Sequence, residues 1–125
     1  MITSGWQTIL HDIDRDEEFS GDDVDQFSPL IDLGANYEFI TVLLGSVITS
    51  STLNPWIQRD SSTATVPVIV HVLDDDATGS FAHATTAAVT QVAVTFRIGG
   101  AQYLRMRFGS NQAADETFYV LGFNR

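Results

Sequence analysis

The last third of the chain alternates. In Val92-Ala93-Val94-Thr95-Phe96-Arg97-Ile98 the large apolar side chains fall at every second position, leaving Ala93, Thr95 and Arg97 on the other face. That is the period of a half-buried strand. Gly99-Gly100 follows, and because glycine reaches positive φ without steric cost, the pair predicts a two-residue hairpin loop. The partner strand would then place Leu104, Met106 and Phe108 in the core, with Tyr103, Arg105 and Arg107 outward. A loop over 109–115 precedes Phe118, Val120 and the closing Phe123 of the last strand.

Elsewhere, valine, isoleucine and thirteen threonines in short runs, broken by Gly, Pro, Asn and Asp, favour strands, and no stretch has a helical period. The segments 6–12, 26–33, 37–44, 53–59, 66–73, 92–98, 101–108 and 116–123 are the expected strands, with 66–73 read as buried. Eight short strands separated by turn signals predict one all-β domain over 1–125, an antiparallel β-sandwich of the jelly-roll-like kind. Segment 77–91, rich in Ala and Thr, specifies no element, and there is no internal repeat or linker.

Composition narrows the function classes. At 125 residues, with 44% hydrophobic and 18% charged residues, the chain has the size and apolar content of one packed domain. No apolar run reaches the roughly 18 residues of a membrane helix, and the first residues do not form a signal peptide, so a cytosol-like site of synthesis is expected. Cysteine is absent, which removes disulfides and thiolate metal sites. The formal charge is −10, and all six bases are arginine. Such a surface repels phosphate, so nucleic acid is not the expected partner. Half of the acids (Asp12, Asp14, Asp16, Glu17, Glu18, Asp22, Asp23 and Asp25) crowd into residues 12–25, which predicts a solvated loop or arm.

Little in the sequence points to catalysis. Asp12-Ile13-Asp14-Arg15-Asp16 has the alternate spacing of Ca²⁺ ligands, with Asp23 at the twelfth position, but Glu17 stands where an EF-hand turn needs glycine. Asp74-Asp75-Asp76 is a second acidic knot. His11, His71 and His83 lack zinc-ligand spacing, and no Gly-x-Ser-x-Gly elbow is present. A carboxylate pair for glycoside hydrolysis has only the abundance of acids behind it. The expectation is a protein that is not an enzyme and holds no cofactor. Trp56, and Tyr103 with Arg105 and Arg107, have the chemistry of platforms on which a sugar ring stacks. Trp56 as a core residue, and the arginines paired with nearby acids or with another subunit, are the plainer expectations.

Three phrases, Ser28-Pro29-Leu30-Ile31-Asp32-Leu33-Gly34-Ala35-Asn36-Tyr37, Gln102-Tyr103-Leu104-Arg105-Met106-Arg107 and Gln112-Ala113-Ala114-Asp115-Glu116-Thr117-Phe118-Tyr119, resemble small jelly-roll-like accessory proteins of tailed-phage particles. They cover under a third of the chain. The resemblance implies a virion structural role, foremost capsid decoration (cement), as a homo-oligomer such as a trimer bound to the major capsid protein or to tail proteins and assembled in the host cytoplasm. On that reading Trp6 and the acidic segment, with Asp22, Asp23 and Asp25, contact the shell. Tyr103, Arg105 and Arg107 join copies to one another. The Tyr-x-Arg-x-Arg strand is also similar to discoidin-like and galectin-like sandwiches, which implies a glycan-binding module using Trp56 or Tyr103; the cysteine pair common in discoidin domains is missing.

Overall fold

The computed structural model describes residues 2–44, 51–73, 81–83, 86–88 and 92–125. Their strands are β1 (Ile2–His11), β2 (Ile31–Leu44), β3 (Ser51–Gln58), β4 (Val68–Ile69), β5 (His71–Leu73), β6 (Phe81–His83), β7 (Thr86–Ala88), β8 (Val92–Phe108) and β9 (Glu116–Asn124). No helix occurs among the described residues. The main sheet runs β1-β9-β2-β8-β3-β4, with β7 also on β3, and every pairing is antiparallel; β5 and β6 form a separate pair. This is the all-β, antiparallel, sandwich-like class that the alternation predicts.

The two longest strands correct the expected hairpin. Gly99 and Gly100 do adopt positive φ, 74° and 95°, yet the chain does not reverse there. Segment 92–97 pairs with Phe39–Leu44 of β2, which continues beside the second half with Tyr37 opposite Ala101 and Ile31 opposite Leu104, while 103–108 pairs on its other side with Leu53–Gln58 of β3. Both halves therefore find partners elsewhere, and the glycines become an irregularity inside one 17-residue strand. The predicted strands 26–33 and 37–44 merge likewise. Their junction holds Gly34 at φ 82°, where the register with β8 shifts between Asp32 and Tyr37. Residues 26–30 stay outside the strand, apart from a bridge from Phe27 to Arg107. The segment read as buried over 66–73 breaks into β4 and β5, and Val66 and Val68 are exposed. The acidic knot 74–76 lies outside the described residues.

Bent strands let one sheet cover itself. The ring of His11 on β1 meets Phe108 on β8 at 4.9 Å, and Phe118 on β9 meets the same ring at 6.2 Å, although neither β1 nor β9 is hydrogen-bonded to β8. Between the layers lie Ile40, Val42 and Leu44 of β2, Leu104 and Met106 of β8, and Val120 of β9, all buried. Each such side chain contributes about 1.5–3 kcal/mol of hydrophobic stabilisation. The core residues expected on β8 are all there.

Candidate functional site

The most unusual surface is the side of the sheet facing away from this core. Directly opposed residues of antiparallel strands point the same way, so the register defines two cross-sheet rows: Trp6, Leu121, Thr41 and Thr95, then Thr8, Tyr119, Leu43 and Ala93. Leu10 pairs with Thr117 at one end, and Phe123 with Phe39 at the other. Trp6 is 55% exposed and Leu10 50%, with Leu43 and Tyr119 at 38% and 36%. Phe39 and Phe123 stack at 5.2 Å, capped by the Arg125 guanidinium 4.7 Å above Phe39. Phe123 therefore lies on the outer face. The hydroxyls of Thr41 and Thr95 meet at 3.0 Å. At the rim Arg97 pairs with Glu38 at 3.2 Å. No residue of these rows is acidic, in a chain of net charge −10.

Of the residues expected to make contacts, Trp6 stands on this face. Leu43, Tyr119 and Leu121 were not anticipated. Their signal was present: Val42-Leu43-Leu44 and Phe118-Tyr119-Val120-Leu121 are unbroken apolar runs, the mark of a strand with two apolar faces.

The acidic segment behaves differently from a solvated arm. Asp22 is buried and accepts both guanidinium N–H groups of Arg15, one of them at 2.8 Å, along with the backbone N–H of Glu18 at 3.0 Å. Glu18 accepts from Arg15 and from Arg105, at 3.0 and 3.2 Å. Arg105, expected to point outward towards another copy, is fully buried. It also donates to the carbonyls of Ser28 and Thr63, both at 3.2 Å, and its guanidinium lies 4.7 Å from the centre of the Phe19 ring. The correction has a physical cause. Arg105 does leave the core face, but loop 15–28 folds over that side of β8 as a further layer. Burial lowers the Arg105 pKa, and Glu18 offsets part of that cost. Asp23 is exposed, and its carbonyl accepts the N–H groups of Gln26 and Phe27; Asp25 is half-buried, and its carbonyl accepts from Gln112.

Arg107 is held by Gln26 Oε1 at 2.8 Å and lies 5.1 Å from both the Phe27 and the Trp56 rings. Trp56 also meets Phe27 edge-on at 5.1 Å, with its indole N–H buried and unpaired. The half-buried ring is thereby packed against Phe27 and Arg107, outside the core cluster. Tyr103 shares its side of β8 with Arg105 and Arg107 and stands nearer the Gly99-Gly100 irregularity. It lines a groove of about 400 Å³ with Asn36, Gln58, Arg59 and Gln102 over Ile57 and Ile98.

The expected cation ligands rearrange. Asp12 and Asp14 come together with Asp115, whose carboxylate oxygens lie within 4.8 Å of theirs, while Arg15 turns away to Asp22. Oxygens of Asp115 and Asp12 accept the backbone N–H of Ile13 and Asp14, both at 2.9 Å, which closes the loop. Of the three histidines, His11 is buried beside Phe108 and His71 is exposed on β5. His11 makes no hydrogen bond of good geometry, and its loss of water lowers its pKa, against the nearby carbonyls of Asp25 and Val24, which raise it.

A group that prefers to be neutral in the fold contributes its full stability above its unfolded pKa, about 6.5. The melting temperature is therefore expected to fall as the pH drops below that value. Glu116, raised by burial, acts in the opposite sense nearer its own range. His11→Phe should flatten the decline between pH 7 and 5, which thermal melts at matched ionic strength would measure; an unchanged slope would remove His11 from the account.

No protein-family model and no curated protein sequence matches the chain. Among solved structures it is similar to the SPBc2 prophage-derived protein YomS, at a TM-score of 0.52 and 10% identity over 98% of this chain and 95% of that one. It is also similar to a selenomethionine-labelled point mutant of chitosan-binding module 1 from a chitosanase/glucanase of Paenibacillus sp. IK-5, at a TM-score of 0.42 and 15% identity, covering 94% and 95%. The first likeness, at so low an identity, shows a shared fold.

Proposed function

We propose that this chain is a non-enzymatic structural protein of a tailed-phage particle, of the capsid-decoration kind, which works by contact of its outer sheet face with other copies and with neighbouring shell proteins. The observation that carries this reading is the acid-free face of β1, β9, β2 and β8. On a chain that otherwise bristles with carboxylates, an apolar face rich in Thr and aromatic residues, with charge only at its Arg125 and Arg97–Glu38 end, is where a partner meets few charges to desolvate. The phage setting rests on the phrases that resemble tailed-phage accessory proteins, and a fold shared with a prophage-derived protein is in keeping with it. Trp6 belongs to this contact. The acidic segment contributes only its exposed members, such as Asp23, because Asp22 is taken up by Arg15.

The test is the double substitution Leu43→Glu with Tyr119→Glu, at two half-exposed, neighbouring positions of the face. Sedimentation velocity should show species larger than a dimer lost, with the melting temperature nearly unchanged. Association equal to that of the wild type would remove the face from the reading.

The groove beside Gly99-Gly100 supports a second reading, a glycan-binding module. Tyr103 offers a ring, and Asn36, Gln58, Arg59 and Gln102 bring hydrogen-bonding groups around an apolar floor. On this reading Tyr103, rather than Trp56, stacks on the sugar. Tyr103→Ala should then abolish any binding on a glycan array, and a wild type that binds no glycan would end this alternative.

A further inference from the structure

The outer face ends at an open edge. β1 begins the sheet order and, among the described residues, pairs only with β9. The outer edge of this ten-residue strand, unpaired among the described residues, presents a row of backbone donors and acceptors to any strand that approaches. Proteins normally guard such edges with lysine, proline, inward charges or very short strands. None of these guards is present here. Residues 2–10 carry no charged side chain and no proline, and the chain has no lysine at all. Its single irregularity, at Gly5 with φ 75°, shifts the register with β9 between Thr3 and Trp6 and leaves 6–11 regular.

Resting on the assembly reading above, we infer that the occupant of this edge is a second copy of the same strand. Two arguments select it. The first is charge: two chains of net charge −10 repel over most of their surfaces, and strand 2–10 with the adjoining face is where close approach brings no carboxylates together. A strongly basic partner would find no acidic group here to pair with. The second is self-complementarity. In an antiparallel pair about a two-fold axis through Thr8, Trp6 of one copy faces Leu10 of the other, twice, with Thr8 facing Thr8. All three positions already point to the outer face. Pairing would therefore cover two of the most exposed large apolar side chains of the molecule, at 55% and 50%, while adding backbone hydrogen bonds.

The geometry has a consequence for assembly. A two-fold axis perpendicular to the sheet keeps both outer faces on the same side, so the apolar surface becomes continuous across β8-β2-β9-β1 of one copy and the same strands of the other. The unit that meets a shell is then a dimer with a doubled face. An isologous interface of this kind gives even-numbered assemblies, in place of the trimer that the resemblance implies.

The chain has no cysteine, so single-cysteine variants report only on the position chosen. Directly facing residues in an antiparallel pair lie roughly 4.5–5.5 Å apart at Cα, within the range a disulfide spans. Under mild oxidation Thr8→Cys should form a covalent dimer faster than any other single cysteine over 6–10. Trp6→Cys mixed with Leu10→Cys should form the mixed dimer in preference to either self-pair, and Leu43→Cys, on the face but two strands from the edge, should form no covalent dimer. If the wild type assembles but Thr8→Cys does not cross-link, or Leu43→Cys cross-links as fast, the edge inference falls and the face reading stands. A wild type that sediments as a monomer at every concentration overturns both.

Discussion

Arg105→Ala is expected to destabilise the protein by about 3–5 kcal/mol, the usual cost of deleting one partner from a buried ionic network. The side chain is fully buried and donates to Glu18 and to the carbonyls of Ser28 and Thr63. Its loss would leave those acceptors short of a donor and open a void against Phe19, over which the guanidinium lies. Arg15 alone would then remain to neutralise Glu18 and Asp22. Arg59→Ala, at a side chain 90% exposed, should cost under about 0.5 kcal/mol by comparison. Urea melts of the two variants measure the difference. A cost below about 1 kcal/mol for Arg105→Ala would mean that loop 15–28 is not the packed layer described. The result also bears on Asp22→Asn. Because that carboxylate anchors Arg15, its replacement should lower stability, so a binding loss on Asp22→Asn counts as a contact effect only if the fold is shown intact.

Trp6→Asp is expected to weaken self-association by about a thousand-fold. A buried interfacial tryptophan commonly contributes about 2 kcal/mol or more, and a two-fold interface counts each substitution twice, giving about 4 kcal/mol, or three powers of ten in Kd. The new carboxylates add repulsion between chains that already carry −10 each. The monomer should hardly notice, since Trp6 is 55% exposed and lies outside the core. Concentration-dependent fluorescence anisotropy of labelled protein would give both constants. A change below ten-fold would place Trp6 outside the contact.

How much of this was legible in the sequence depended on whether a residue's environment is set by its own strand or by distant chain. The period-2 pattern of 92–98 placed Phe96 and Ile98 correctly, and the same logic placed Leu104, Met106 and Phe108 in the core, because a strand's two faces follow from alternation alone. It also put Arg105 on the face opposite those residues. What it could not supply was the layer on that face, since loop 15–28 is some eighty residues away and its acids read, locally, as solvent-seeking. Gly99-Gly100 misled for a related reason. Positive φ serves a hairpin and a bulge equally well, and only the partners, β2 running beside both halves of β8 and β3 beside the second, decide between them. The outer face was legible in principle. Runs such as Phe118-Tyr119-Val120-Leu121 have no polar alternation, yet Tyr119 and Leu121 pass as ordinary strand residues until the register sets them beside Leu43 and Trp6.

The central claim is that this protein works by assembling through an apolar, acid-poor face and an uncharged edge, and sedimentation equilibrium of the wild type over a wide concentration range, with Trp6→Asp run beside it, tests that most directly. The account predicts a reversible species of twice the 13.7 kDa chain mass, or multiples of that dimer, and a Trp6→Asp variant that stays at the single-chain mass. A wild type that remains at the single-chain mass throughout, or a Trp6→Asp variant that assembles just as well, would contradict it.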